Sequence, residues 1–240
     1  MAKKAKTPDD ILEEATKLRD QMIAEGGNSA AMAKYLPLIH AKMHEAALSY
    51  PEIDEDNILG ALFLVGSEER WELFEQMCDK YDLSPKAFAL GLKEAWSTGV
   101  ATGNPNAYRF FRQVDGRLMM DEEEQQFFDA LPDVVTIYRG CHINELNYFD
   151  EDPRDESCPG ISWTTDRGVA EFFAFRYETE YRVVVSLVVK KSSIVTFINE
   201  RNEYECIFLD VLSDEPTIIT QEPTEYYEKF MEEKDKRSIL

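Results

Sequence analysis

The spacing of apolar residues predicts that the first half of the chain is helical. Up to about residue 131, apolar residues recur three or four positions apart, and helix start signals recur with them. Thr7 with Pro8 and Ser84 with Pro85 have the residue types that begin helices, and Pro51 ends one. The predicted helices are 8–25, Ala30–Tyr50, Ile58–Val65, Glu68–Tyr81, Phe88–Trp96, a short one from Pro105, and one that follows a capping box of Asp121 and Glu124.

After Pro132 the pattern changes to alternation and to β-branched runs, which predict strands. One helix, capped by Thr165 or Asp166, interrupts them, and the charged run from about Gln221 is predicted as a final helix or a frayed tail. Helices followed by strands favour an α+β fold over an alternating parallel α/β fold. The predicted strands are Val134–Tyr138, a short one within 160–165, Tyr181–Val189, Ser193–Ile198 and Glu205–Leu212.

The composition is that of a strongly acidic globular protein. The 240 residues carry 26 Lys and Arg against 47 Asp and Glu, a net charge of −21, and 44% of them are hydrophobic. Because this charge repels a phosphate backbone, we do not expect a nucleic-acid partner. The longest apolar stretch, Ile58–Val65, is far shorter than the ~20 residues that cross a bilayer, and the basic start lacks the apolar part of a secretory signal. We expect a cytoplasmic protein with no membrane partner.

The cysteines and histidines do not form a metal-site pattern. The four cysteines are scattered without a Cys-x-x-Cys pair, and His40 and His44 lack the further ligands that a structural zinc needs. We therefore predict reduced thiols and no metal. The chain also lacks the glycine-rich fingerprints of dinucleotide-binding folds and of phosphate loops.

The first of three segments with candidate chemistry follows the strand predicted at 134–138. Alternation puts Arg139 on the face of Val135 and Ile137, with its guanidinium where the core meets solvent. An arginine there can hold a phosphate through two parallel hydrogen bonds, and Gly140 allows a ligand or another backbone to come close. The alternative is a structural arginine paired with one of the many carboxylates.

The second segment, Gly160–Thr165, is predicted as a short strand that leads into a helix. Ser162 and Thr164 share one face of this strand, while Ile161 and Trp163 share the other. Two hydroxyls on one face can orient a ligand and a neighbouring carboxylate at once. The alternative is a simple capping turn.

The third segment, Asn202–Leu209, brings two carboxylates to the entry of a strand. Glu203 and Glu205 point the same way on an extended chain, and Glu205 lies in line with Ile207. A carboxylate at the rim of a core, close to a like charge, has a raised pKa and suits a catalytic base. The alternative is a solvated loop of an acidic protein.

The order of these segments resembles the Arg, Ser and Glu motif series of mono-ADP-ribosyltransferases of the cholera-toxin-like branch. Arg139 precedes Ser162 by 23 residues and Ser162 precedes Glu205 by 43, which fits a compact catalytic core. The resemblance covers Val134–Leu212 and is most specific over Gly160–Ala174.

This resemblance implies a fold and a domain division. The middle motif departs from the family pattern, because Trp163 and Thr164 stand where many members have Ser-Thr-Ser. The implied fold is α+β, with an N-terminal helical part packed on a mixed or antiparallel β-sandwich transferase core. The expected parts are 1–56, an N-terminal helical extension, 57–222, the catalytic domain, and 223–240, a charged C-terminal tail or helix.

Members of the family use NAD as a substrate and break the bond between nicotinamide and ribose. The resemblance implies that Arg139 holds the NAD phosphates and that Ser162 orients the site. It implies that Glu205 binds the ribose hydroxyl and stabilises positive charge as nicotinamide leaves. Glu203 would assist the acceptor, and a Glu at that position is associated with arginine acceptors. The implied NAD-binding residues are Arg139, Gly140, Ser162, Trp163 and Thr164.

Acceptor recognition is implied just before the paired carboxylates, at Phe197–Asn202. The candidates are Phe197, Asn199 and Arg201. For a protein arginine acceptor, the negative field of the chain would steer a basic patch toward the cleft. The habit of the family suggests a toxin or viral effector, which would act in the host cytoplasm.

Two other functions stay open. An NAD glycohydrolase shares Arg139 and Glu205 but uses water as the acceptor. The two functions separate at Glu203, because only a transferase needs this residue for a protein acceptor. A non-catalytic acidic interaction protein, either a decoy of nucleic acid or a helical adaptor on a degenerate transferase core, predicts no release of nicotinamide.

Overall fold

The computed structural model describes residues 6–98, 105–148, 160–177, 180–209 and 216–238. The chain divides into two compact units, Met1–Ala101 and Thr102–Leu240. This division differs from the boundaries expected at 56 and 222. The helical segments between 58 and 98 belong with the N-terminal helices, and the C-terminal segment belongs with the strands.

The first unit is helical, as its apolar periodicity predicts. Thr7 caps the first helix by accepting a hydrogen bond from the amide of Asp10, whose carboxylate bonds back to the Thr7 amide. Two later helices approach closely at Gly91, where a Cβ atom would lie 2.6 Å from the ring of Phe74. The helices are α1 (Pro8–Ala24), α2 (Ser29–Ala47), α3 (Ile58–Leu62), α4 (Arg70–Lys80) and α5 (Pro85–Thr98).

The described residues of the second unit begin with three α-helices and continue with six strands and two further α-helices. The helices are α6 (Pro105–Gln113), α7 (Gly116–Met119), α8 (Glu122–Ala130), α9 (Arg167–Phe175) and α10 (Glu225–Ser238). The strands are β1 (Val134–His142), β2 (Ser162–Thr164), β3 (Arg182–Lys190), β4 (Ile194–Ile198), β5 (Glu205–Phe208) and β6 (Thr217–Thr220). The predicted capping box of Asp121 and Glu124 starts α8. β1 extends four residues beyond its predicted end, and β6 was not predicted.

The six strands form one sheet in the order β4-β5-β2-β1-β3-β6, and every neighbouring pair is antiparallel. This confirms the α+β class. A second stacked sheet, which a sandwich requires, is not found in the described part of the chain. Within those same residues, no helix combines the length and apolar composition needed to cross a membrane.

The two faces of this sheet have different neighbours. One face, here called the core face, carries buried Val135, Ile137 and Trp163. The opposite face, here called the α9 face, packs against α9, and Val184 of β3 belongs to one buried cluster with Ala170 and Ala174 of the helix. Because side chains alternate along a strand, neighbouring residues of β1, β2 and β5 face opposite environments.

Candidate functional site

A serine and a carboxylate from distant parts of the chain meet on the α9 face. The hydroxyl of Ser162 donates a hydrogen bond to Oε1 of Glu205 at 2.5 Å. β2 and β5 are antiparallel neighbours in which Thr164 lies opposite Glu205, so Ser162 lies two residues further along the same face. The Glu205 side chain is buried, with 8% of the residue exposed. The structure therefore brings together the Ser162 and Glu205 of the predicted site.

Glu203 lies in a loop whose conformation is held by several contacts. The hydroxyl of Thr164 donates to the carbonyl oxygen of Glu203 at 2.7 Å, and the Tyr204 amide donates to Oδ1 of Asn199 at 3.0 Å. Asn202 and Tyr204 have φ angles of 56° and 48°, a region that side-chain-bearing residues rarely adopt. Such conformations persist only where surrounding contacts impose them, and they concentrate at functional sites.

The carboxylate of Glu203 is mostly shielded from solvent and lies beside the guanidinium of Arg201. Its side chain is 24% exposed, and Oε2 lies 3.4 Å from a guanidinium nitrogen of Arg201. Burial raises the pKa of Glu203, while the charges of Arg201, Arg176 and Lys234 oppose this rise without cancelling it. A carboxylate with a raised pKa is better suited to accept a proton near neutral pH than an ordinary one.

Arg139 is held in place by two protein groups. Nη1 donates to the carbonyl oxygen of Ser162 at 2.7 Å, and Nη2 donates to Oε2 of Glu145 at 2.9 Å. Its side chain is 18% exposed, and among the described residues its buried Nε has no hydrogen-bond partner. Burial works to raise the pKa of Glu145, but the Arg139 charge and the His142 amide outweigh it and hold this pKa below its usual range.

Arg139 and Glu205 start from opposite faces of the sheet. Tyr138 pairs with Thr164, which pairs with Glu205, so these three side chains lie on the α9 face, whereas Arg139 starts on the core face. Ser162 connects the two charged groups, because its carbonyl accepts from Arg139 and its hydroxyl donates to Glu205. Arg139 and Glu205 are thus connected indirectly, through Ser162.

Two of the residues assigned to NAD binding have packing roles. A Cβ atom on Gly140 would lie 2.1 Å from the carbonyl oxygen of Ala170, so the close approach at Gly140 is made by the backbone of α9, one of the two expected partners, and not by the NAD that the family resemblance implies. Trp163 is 3% exposed on the core face and packs edge to face against Phe208. Neither Gly140 nor Trp163 therefore presents a surface that a ligand can contact in this conformation.

The residues assigned to acceptor recognition are in three different environments. Phe197 belongs to β4, is 1% exposed and stacks on Phe127 with ring centroids 4.5 Å apart, so it is a core residue and not a surface contact. The amide of Asn199 donates to Oε1 of Glu124 at 2.8 Å, which anchors the start of the loop. Arg201 has an exposed side chain beside Glu203 and can contact an acceptor.

Two glutamates outside the predicted set support the site. Glu145, in a short 3₁₀ helix after β1, balances the charge of Arg139. Glu124 is predicted as part of a capping box, but its second role on the Asn199 amide depends on a contact 75 residues away along the chain. Glu145 carries no local signal in this acidic sequence, since carboxylates are abundant everywhere.

The described residues contain no group of three or more His, Cys, Asp or Glu side chains placed to hold a metal ion. Cys141 and Cys206 are buried free thiols, and burial raises the pKa of both to about 12. Comparisons of the chain with protein-family models, with curated proteins and with solved structures found no significant match.

Proposed function

We propose that the chain is an NAD-dependent mono-ADP-ribosyltransferase that cleaves the nicotinamide–ribose bond and transfers ADP-ribose to a protein arginine. The observation that carries this proposal is the hydrogen bond from Ser162 to the buried carboxylate of Glu205, with a second carboxylate, Glu203, two residues earlier. A hydroxyl, a buried anion and a nearby base are the groups that such a transfer needs from the protein.

Glu205 supplies negative charge where the reaction develops positive charge. Cleavage of the bond sends its electron pair to nicotinamide and leaves cationic character on the ribose carbon. A carboxylate already fixed by the Ser162 hydroxyl needs little reorganisation as that charge forms. A preorganised electrostatic group of this kind contributes about 3 to 4 kcal/mol, which corresponds to about 10²- to 10³-fold in kcat.

Glu203 is the base for the acceptor in this proposal. As the acceptor nitrogen bonds to the ribose carbon, it loses a proton, and Glu203 takes that proton. The raised pKa of Glu203 favours this step, and the contact of Thr164 with the Glu203 carbonyl positions the loop. Arg201 beside it lies where an acceptor chain approaches.

Arg139 acts through Ser162 in this proposal. Two of its guanidinium nitrogens are engaged by the Ser162 carbonyl and by Glu145, so it positions β2 against the end of β1. This differs from the phosphate contact that the family resemblance implies. It also matches the structural alternative, an arginine paired with a carboxylate.

The decisive experiment measures nicotinamide release from NAD. Wild type is compared with Glu205→Gln and, as a matched control, with Glu200→Gln, which removes an exposed carboxylate from the same loop. We expect Glu205→Gln to reduce release about 10²- to 10³-fold and the control to retain it. Absence of nicotinamide release by folded wild-type protein would reject the enzyme and favour a non-catalytic interaction protein.

A second measurement separates transfer from hydrolysis. Labelled NAD is incubated with a cell lysate, and both labelled protein and released nicotinamide are quantified for Glu203→Gln. A transferase loses protein labelling while some release persists, because Glu203 serves the acceptor. Equal loss of both activities contradicts this division of roles, and release without labelling by wild type identifies a glycohydrolase.

A further inference from the structure

One turn of α8 holds both ends of the loop between β4 and β5. This loop comprises residues 199–204 and is here called the β4–β5 loop. At its start, the amide of Asn199 donates to Oε1 of Glu124 at 2.8 Å. At its end, the ring of Tyr204 has its centroid 5.5 Å from that of Phe127. Glu124 and Phe127 are three residues apart, so they lie on one face of α8.

Glu124 is buried although it carries a carboxyl group. Only 4% of the residue is exposed. Its Oε2 accepts from the amide of Asp121, which completes the cap of α8, and its Oε1 accepts from the amide of Asn199. A buried carboxylate needs such hydrogen bonds to offset its lost hydration. Glu124 therefore ties the start of α8 to the start of the β4–β5 loop.

Phe127 contacts the β4–β5 loop from the side that faces solvent. The residue is 37% exposed, and its ring stacks on Phe197 with centroids 4.5 Å apart. The same ring lies against Tyr204, and aromatic pairs at these separations attract each other beyond the burial of their area. Because Tyr204 follows Glu203 directly, the ring contact limits how far the backbone of Glu203 can move.

The backbone of the β4–β5 loop transmits both contacts to Glu203. Oδ1 of Asn199 accepts from the amide of Tyr204 at 3.0 Å, so the two ends of the loop are tied together. Asn202 and Tyr204 have φ angles of 56° and 48°, and such conformations persist only where surrounding contacts impose them. Loss of a contact from α8 should therefore let the loop relax and displace Glu203.

The two carboxylates of the candidate site depend on different supports. Glu205 is held by the hydroxyl of Ser162 in β2, whereas Glu203 depends on α8 through the β4–β5 loop. In the proposed function, transfer and hydrolysis both send the electron pair of the broken bond to nicotinamide. They differ in the atom that bonds to the ribose carbon. In transfer it is a guanidine nitrogen, whose proton goes to Glu203, and in hydrolysis it is a water oxygen, whose proton goes to solvent.

We propose, on the basis of the function proposed above, that Glu124 and Phe127 are positioning residues that set the ratio of transfer to hydrolysis. They act through the β4–β5 loop and not on the reacting atoms. A loop held by α8 keeps Glu203 within reach of the acceptor nitrogen, and a loosened loop leaves the ribose carbon to water. A displacement of about 1 Å can lower a rate about 100-fold, so transfer should fall strongly while hydrolysis persists.

The test incubates labelled NAD with agmatine, a small guanidine acceptor, and quantifies ADP-ribosyl-agmatine and free ADP-ribose in the same reaction. The variants are Glu124→Ala and Phe127→Ala, and the matched control is Glu123→Ala, which removes the exposed neighbour on α8. We expect the ratio of transfer to hydrolysis to fall about tenfold or more in both variants and to stay within about twofold in the control. Because this ratio does not depend on the folded fraction, a loss of stability alone would not change it.

Hydrogen exchange of the Tyr204 amide, followed by NMR, tests the positioning without turnover. This amide donates to Asn199 inside the β4–β5 loop, so its exchange reports opening of the loop. It should exchange about tenfold faster in Glu124→Ala and in Phe127→Ala than in wild type, and at the wild-type rate in Glu123→Ala.

The inference is overturned by a wild-type ratio in folded Glu124→Ala and Phe127→Ala, by an equal fall in Glu123→Ala, or by unchanged exchange of the Tyr204 amide in both variants. If wild type forms ADP-ribosyl-agmatine and one of these results is found, the transferase proposal stands and the positioning role is lost. A wild type that forms only free ADP-ribose is a glycohydrolase, and the positioning role is lost as well. If wild type releases no nicotinamide, the proposed function fails and the role in the ratio fails with it, while faster amide exchange still shows that α8 holds the loop.

Discussion

Replacing Ser162 by alanine tests whether the serine positions the catalytic carboxylate. The substitution removes the hydroxyl that donates to Oε1 of Glu205 at 2.5 Å, while the carboxylate stays buried. Hydrogen bonds to charged groups contribute about 1.5–3 kcal/mol. If this energy is lost from the transition state and not from the substrate complex, kcat for nicotinamide release falls about 10- to 150-fold.

The assay must separate positioning from folding. Loss of a donor to a buried carboxylate also lowers the free energy of unfolding, by about 1–3 kcal/mol, so kcat is measured at a temperature where circular dichroism shows the variant folded. Ser162→Thr keeps a hydroxyl and should restore most of the rate, whereas Ser192→Ala, in the turn after β3, should change nothing. A folded Ser162→Ala protein with the kcat of wild type would refute the positioning role.

Three further predictions concern stability. Because the pKa of Glu203 is raised in the folded state, ionisation of this carboxyl lowers the free energy of unfolding as the pH rises. Glu203→Gln should therefore melt at a higher temperature than wild type at pH 7, and at an equal temperature below the unfolded pKa of about 4.3. A lower melting temperature of the variant at pH 7 would contradict this. The pKa of Glu145 is depressed, so its stabilisation is present at neutral pH and is lost as the pH falls below about 4.3. Glu145→Gln should therefore lower the free energy of unfolding, measured with denaturant, by about 1–3 kcal/mol at pH 7, a value between those of exposed and buried ion pairs. The loss should become progressively smaller in acid. A loss that does not depend on pH would argue against the ion pair with Arg139. Gly140→Ala should lower the free energy of unfolding by about 1–3 kcal/mol or more, because the added Cβ would meet the backbone of Ala170. Unchanged stability would show that α9 does not pack against β1 as described.

Some features of the site follow from local sequence alone. Alternation places Ser162 and Thr164 on one face and Trp163 on the other, and the structure has this arrangement because the two-residue period is a property of any strand. The helix starts at Thr7, Ser84 and Asp121 are equally local, since each cap acts within three residues.

Other features were predicted differently because they depend on contacts between distant residues. Gly140 was expected to let a ligand or another backbone come close, and only the packing of α9 decides that the backbone takes that place and not the NAD that the family resemblance implies. Phe197 was expected at the surface, but β4 carries it into the core against Phe127. A glycine or a phenylalanine has the same local sequence signal in either situation, so only the packing of the chain distinguishes them.

The sequence by itself determined the α+β order, the helix caps, and which side chains of each strand share a face, because all of these depend on residues a few positions apart. The tertiary structure alone decided that Ser162 reaches Glu205, that Arg139 pairs with Glu145, and that Glu171 of α9 caps the start of α10. These contacts depend on strand register and helix docking. Both are set by the burial of many side chains together, and no single segment encodes them.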